Sequence, residues 1–471
     1  MDKLAGILCT FFLLSLCLIS SSQNVILYGN AITYSGHEIV FNRFCDLISG
    51  EEEEIGRCKV DSNGNFKISF DLESTAFIFS HLGVYKAFLY VEPDKKYEII
   101  LPEKTDKTPE DKLNPYFVES GIQLGMANID TNELNFLIRI FNDAYIPFYN
   151  KHVINVVNSN DFSELDVDIE KIEKPFVSST NKYFNEYREY RYGILRLMAT
   201  QKKVKNISEK YFKDKPVLYD NPAYMELFNQ VYNKYFMFFG RTNEGREIYS
   251  IVNRSKSYSE LINIITQNSN FYNEPILELV ILKAIYNEFY DSNFSRSGLL
   301  CILDSLMLQT KIYQHKLIGE TIKTKITKLL SGYDPPAFEL YDADSNLITL
   351  SNFKGKYVYL NFCTSSSYTC LGEFEILDAL YERHKERLEI VTIAVDPERD
   401  KFKDFLKARK YKWKFLYFGN QPEILNEYDV RAYPTYFLIG PDGRLIFSPC
   451  PSPSENFESK LYNTMKERGD L

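Results

Sequence analysis

The sequence predicts a multidomain chain with an N-terminal antiparallel β-sandwich, a central all-α domain and a C-terminal α/β domain built on a parallel sheet. Three observations carry this. Apolar residues alternate with period two from about Asn24 to Pro102 and adopt helical spacing from about Asn114 to Leu330. Beyond Pro336, buried strands alternate with helices, the order that implies a parallel central sheet. At 471 residues the chain is too long for one ordinary domain. With 45% hydrophobic and 25% charged residues it can build real cores.

The first segment, 1–22, reads as an export signal. Lys3 supplies the positive start, Ala5 to Ile19 form the apolar run, and Ser20 and Ser22 place small residues at −3 and −1 of a cut before Gln23. That run is shorter than the ~20 apolar residues a membrane span wants. A lipoprotein would use Cys17 as the lipidated residue, but bulky Leu16 just before it makes a poor processing site. No other segment is long and apolar enough to span, so the mature protein is expected without an integral membrane segment, in the periplasm or cell envelope.

The β-sandwich is expected over 23–104. Phe66, Ile68, Phe70 and Leu72 share one face after Asp61-Ser62-Asn63-Gly64, which reads as a hairpin turn. Cys45 and Cys58 fit either a disulfide between neighbouring strands or two separate thiols. The helical domain is expected over 105–332. Leu134, Leu137, Ile138, Phe141, Tyr145 and Phe148 make one apolar stripe, and Asn273 with Pro275 reads as a capped helix start. Ser331-Gly332 and Pro335-Pro336 mark the boundary before the α/β domain over 333–471. There, Tyr357 to Phe362 and Leu388 to Val395 are buried strands, and Thr435 to Ile439 and Arg444 to Phe447 flank a Pro441-Asp442-Gly443 hairpin.

Composition narrows the chemistry. A net charge of −9 without a basic stripe excludes nucleic acid as a main partner. The cysteines match no zinc pattern and the five histidines are scattered, so neither a metal nor a cofactor is expected.

Residues 335 to 467 resemble the TlpA-like thiol–disulfide reductases, the exported branch of the thioredoxin superfamily. The likeness runs through Pro336-Ala337-Phe338, Leu350-Ser351-Asn352-Phe353-Lys354-Gly355-Lys356, Leu360-Asn361-Phe362, Val430-Arg431-Ala432-Tyr433-Pro434-Thr435 and Gly440-Pro441-Asp442-Gly443. The front two thirds resemble, in organisation only, the variable N-terminal halves of Bacteroidetes-type members. The resemblance implies a thioredoxin fold and a C-x-x-C motif at the start of a helix. Here that stretch reads Cys363-Thr364-Ser365-Ser366-Ser367-Tyr368-Thr369-Cys370. Ser367 takes the place of the attacking cysteine and Cys370 that of the resolving one, while Glu373 is kept. A serine hydroxyl stays protonated at neutral pH and forms no stable link to sulfur, so the two-cysteine cycle between these positions is excluded.

What remains is thiol–disulfide chemistry resting on Cys370, which is either lowered in pKa by the first helical turn or an inert remnant. Ser367-x-x-Cys370 is also similar to the Thr/Ser-x-x-Cys of peroxiredoxins, the single-cysteine peroxidases, without their preceding proline. Pro434 matches the cis-proline of the superfamily. With Tyr433 and Thr435 it implies a groove for protein thiols, protein disulfides or an extended polypeptide. Counting outward from Asp442, Cys450 falls opposite Pro434, which suggests a Cys370–Cys450 disulfide or redox pair if their Cα atoms lie within about 7 Å. Cys363, at the buried end of a strand, fits a packing role or a partner for Cys370. The competing class is a redox-inactive thioredoxin-fold binding or scaffold protein of the envelope.

Overall fold

The computed structural model describes residues 23–128, 130–158, 164–199, 204–267, 273–396, 398–419 and 421–471. Residues 1–22, read above as an export signal, and with them Cys17, lie outside the described residues.

Among the described residues, nine strands form the front of the chain: β1 (Gln23–Asn30), β2 (Glu38–Phe44), β3 (Glu52–Lys59), β4 (Asn65–Leu72), β5 (Ala76–Leu82), β6 (Tyr85–Val91), β7 (Lys96–Ile100), β8 (Ser120–Gln123) and β9 (Gly125–Met126). They make two sheets, β4-β1-β7-β9 and β3-β2-β5-β6-β8, packed around Leu27, Phe41, Ile78 and Leu89. The alternation in β4 is complete: Phe66, Ile68, Phe70 and Leu72 are buried and the residues between them exposed. Most pairs are antiparallel, but β1–β7 and β6–β8 are parallel.

One expectation is corrected here, and one open pair of alternatives is decided. Asp61 accepts the amides of Asn63 and Asn65, and Gly64 sits at φ +85, so the turn forms. It joins strands of different sheets, however, because β3 pairs with β2 and β4 with β1. Cys45 and Cys58 are free thiols: Cys58 lies opposite Ile39, at the far end of β2 from Phe44 and Cys45.

The longer central helices are α1 (Leu134–Asn158), α2 (Lys182–Ala199), α3 (Pro222–Val231), α4 (Glu274–Glu288), α5 (Arg296–Gln309) and α6 (Tyr313–Thr327). Helix α4 begins as its sequence dictates: the Asn273 side chain accepts the Ile276 amide, with Pro275 in the first turn. Phe141 on α1 packs against Tyr145, Phe176, Phe184, Tyr187 and Tyr192. The β and helical cores meet where Asn135 takes the Tyr90 amide and donates to the Tyr90 carbonyl.

The C-terminal sheet runs β11-β10-β14-β13-β12-β15-β16. Its strands are β10 (Glu339–Asp342), β11 (Leu347–Thr349), β12 (Tyr357–Cys363), β13 (Leu388–Ala394), β14 (Lys414–Tyr417), β15 (Thr435–Ile439) and β16 (Leu445–Cys450). Helices α7 (Tyr368–His384), α8 (Arg399–Arg409), α9 (Glu423–Glu427) and α10 (Phe457–Arg468) complete the α/β unit. Every residue of β12 is buried, as expected of a central strand covered on both faces. It pairs parallel with β13 and antiparallel with β15. Cys363 therefore arrives at the strand end beside the start of α7.

Among the described residues no helix is long and apolar enough to cross a membrane.

Candidate functional site

Between β12 and α7 the chain makes a tight turn in which the Ser367 amide donates to the Thr364 carbonyl. Ser367 is the N-cap of α7, and its hydroxyl oxygen accepts the Cys370 amide at 3.3 Å. Asp396, just past β13, fixes the turn from the side. Its carboxylate accepts the Ser365 amide at 3.0 Å, the Ser365 hydroxyl at 2.6 Å and the Thr364 hydroxyl at 3.1 Å.

The folding of this turn surrounds one sulfur with donors. The Cys363 thiol, the Ser367 hydroxyl and the Thr364 backbone N–H all hydrogen-bond the Cys370 thiol, and together they pull it down to about 7 against its burial and the Asp396 charge. Cys363 moves the opposite way: burial, then its bond to Cys370, hold its thiol well above the usual range. Cys370 is fully buried and Cys363 nearly so.

Behind the sulfurs lies a buried polar row. Glu373 accepts the amide and hydroxyl of Ser454. Tyr359 donates to the Pro451 carbonyl at 2.6 Å and stacks between Tyr436 and Phe457. The Tyr436 hydroxyl and the side-chain Oδ1 of Asn361 have no protein partner. On the outer side, the Tyr433–Pro434 bond is cis and the Thr435 hydroxyl donates to the Ala432 carbonyl. Half-buried Tyr433 is pushed up to about 12 by burial, with the charges of Cys370 and Asp396 adding to it. Its ring thus borders the site. Three residues before Pro434, Arg431 donates to the Pro115 carbonyl and covers the Tyr116 ring, so a segment of the front region reaches this rim.

Comparison with known proteins places this geometry. A family model described as AhpC/TSA family matches residues 332–448. Thiol-disulfide oxidoreductase ResA of Bacillus subtilis (strain 168) is 30% identical over 174 residues, covering 37% of this chain and 93% of the relative. The ResA of Bacillus thuringiensis is 35% identical over 125 residues, 26% of this chain and 71% of its own. The chain belongs to the TlpA-like thiol–disulfide oxidoreductases of the thioredoxin superfamily. A solved thiol-disulfide oxidoreductase from Bacteroides fragilis superposes with TM-score 0.25 and 21% identity, over 27% of this chain and 97% of that one. The thioredoxin domain of another, from Bacteroides vulgatus, gives TM-score 0.26 and 24% identity, over 29% and 96%.

Within this oxidoreductase fold the residues named from sequence fall in two groups. Ser367, Cys370 and Tyr433 come together around one sulfur, with Pro434 and Thr435 on the adjoining rim. Cys450 does not join them, and the Cys370–Cys450 link is not formed: both thiols are free. The hairpin register explains this. Cys450 pairs with Tyr436 rather than Pro434, because irregularities between Tyr436 and Ile439 give β16 extra residues. Buried on the edge strand, Cys450 is pushed up to about 12, with Lys460 pulling the other way. Asp396 was missed from sequence. Its signal was an acid directly after the buried strand that neighbours β12.

Proposed function

We propose that this chain is an exported oxidoreductase of its family in which thiol–disulfide chemistry rests on Cys370, the first motif position having changed from attacking cysteine to hydrogen-bond donor. The observation that carries this is the convergence of Cys363, Ser367 and Thr364 on the Cys370 sulfur, which favours a thiolate at neutral pH. In the reaction, the Cys370 thiolate attacks one sulfur of a protein or small-molecule disulfide. The substrate S–S bond breaks, a mixed disulfide forms on Cys370, and the departing thiolate takes a proton from water. The names of the ResA relatives support this reaction class. Export is supported by the sequence of 1–22, and cleavage before Gln23 would leave β1 whole. N-terminal sequencing of the protein recovered from an envelope fraction tests it.

The deciding assay compares wild type with Cys370→Ser in insulin reduction and in thiol titration. A loss of at least tenfold in the variant is expected. Equal rates would sink the proposal, and peroxide consumption dependent on Cys370 would move it to the single-cysteine peroxidases.

One observation favours a second reading: Cys370 is fully buried in the resting structure. In that reading the Tyr433–Pro434–Thr435 rim binds extended polypeptide without electron transfer. Peptide binding that survives Cys370→Ser but fails in Pro434→Ala would select it.

A further inference from the structure

A second thiol, that of Cys363, hydrogen-bonds Cys370, and the reaction above gives it only a donor's part. Cys363 ends β12, where its carbonyl accepts the Val395 amide at 2.7 Å and so fixes the strand end against β13. Its thiol hydrogen-bonds Cys370 across the Thr364–Ser367 turn. The two are unequal. Three donors favour the charged form of Cys370, whereas the surroundings of Cys363 hold its proton in place. An attacking thiol that ionises easily beside a protonated one is the division of labour a dithiol centre needs.

We propose that Cys363 is the resolving cysteine of this site, forming a reversible disulfide with Cys370 across a C-x-x-x-x-x-x-C spacing. This rests on the reading that Cys370 attacks disulfides. The substrate class is a low-molecular-weight disulfide of the glutathione type, because a buried sulfur is reached more readily by a small molecule than by a folded protein. The Cys370 thiolate attacks one sulfur of RSSR, the S–S bond breaks, and Cys370–S–S–R forms as RS⁻ leaves. That RS⁻ removes the Cys363 proton. The new Cys363 thiolate attacks the Cys370 sulfur, the Cys363–Cys370 bond forms, and the second RS⁻ leaves and is protonated from water. In sum, two cysteine thiols are oxidised, two electrons pass to RSSR, and two RSH result.

Cys450 is the competing partner. It lies on the edge strand opposite Tyr436, and its thiol is free.

The test treats folded full-length protein with oxidised glutathione, alkylates remaining thiols, and maps tryptic peptides. Lys356 and Arg383 flank both sulfurs, so the pair falls within peptide 357–383. In wild type that peptide is expected two hydrogen masses light and free of adduct. In Cys363→Ala, glutathione should remain on Cys370 at a level at least tenfold higher. Glutathione retained on wild-type Cys370 with Cys363 alkylated, or a Cys370–Cys450 cross-link, overturns the pair while leaving Cys370 reactive. Cys370 alkylated without adduct in both proteins overturns the reading of Cys370 itself, and the pair with it. The wild-type map decides the pair alone, so a Cys363 variant that misfolds leaves the test intact.

Discussion

Ser367 does two things with one oxygen: it accepts the Cys370 amide as helix cap and donates to the Cys370 sulfur. Ser367→Ala should therefore cost about 1 kcal/mol of stability through the lost cap and also raise the Cys370 pKa. Iodoacetamide rates against pH are expected to turn over near 7 in wild type and higher in the variant. The same lowering links pH to stability. A thiol lowered in the folded state contributes stability that is present above its ordinary value of 9.0 and lost as pH falls through about 7. Tyr436→Phe removes a buried hydroxyl with no protein partner, so its midpoint in urea should stay level or rise by up to about 1 kcal/mol in ΔG. At this scale the sequence told much about the site. Ser367, Cys370 and Pro434 were legible because a serine or proline at a motif position has a chemical meaning independent of the fold. The proposed part of Cys363 was less so, since a cysteine at a strand end reads as packing as well as a partner for Cys370 until the following turn brings it back to the helix.

Among elements, the β12–α7 turn depends on Asp396. Asp396→Asn keeps an oxygen for the Ser365 amide and removes the charge that opposes ionisation of Cys370. The alkylation midpoint should then move below 7, and an unchanged midpoint would remove Asp396 from the electrostatics of the site. In the front sheets, His81 on β5 sits between Glu119 and Glu52, which raise it to about 9. A base raised in this way contributes stability that is full below 6.5 and lost as pH climbs through about 9. Melting temperatures between pH 7 and 10 should decline in wild type and flatten over that window in His81→Gln. The elements themselves were well announced: β4 by its alternation, β12 by its unbroken apolar run, α4 by Asn273 and Pro275. Their partners were less so. The Asp61–Gly64 turn was plain, but which strand edge receives β4 depends on β1, more than thirty residues upstream of that turn's glycine. Likewise the outward count from Asp442 missed the irregularities in β15–β16 and placed Cys450 two residues away from its partner.

In the whole molecule, one loop ties the β region to the helices. The Ser49 carbonyl accepts from Tyr286 and Lys325, and the Leu47 carbonyl from Asn229. Nearby, Lys283 of α4 is buried and lowered to about 8 by desolvation, with Asp46 opposing that shift. Its ammonium is thus a liability to the fold below pH 8, one that fades as pH rises toward 10.5. Lys283→Met is expected to raise stability at pH 7 by roughly 1–3 kcal/mol in urea unfolding. None of these long-range ties was legible in sequence, because each joins residues far apart in the chain and uses side chains that look ordinary by themselves. The contact of Arg431 with Pro115 has a different kind of consequence. It makes a stretch without a thiol of its own a neighbour of the groove, so under the proposed function the front of the chain would take part in choosing what reaches the sulfur. Selectivity by size would then belong to the joint between regions rather than to the motif. Arg431→Ala should widen that choice, raising turnover of insulin more than turnover of a small disulfide.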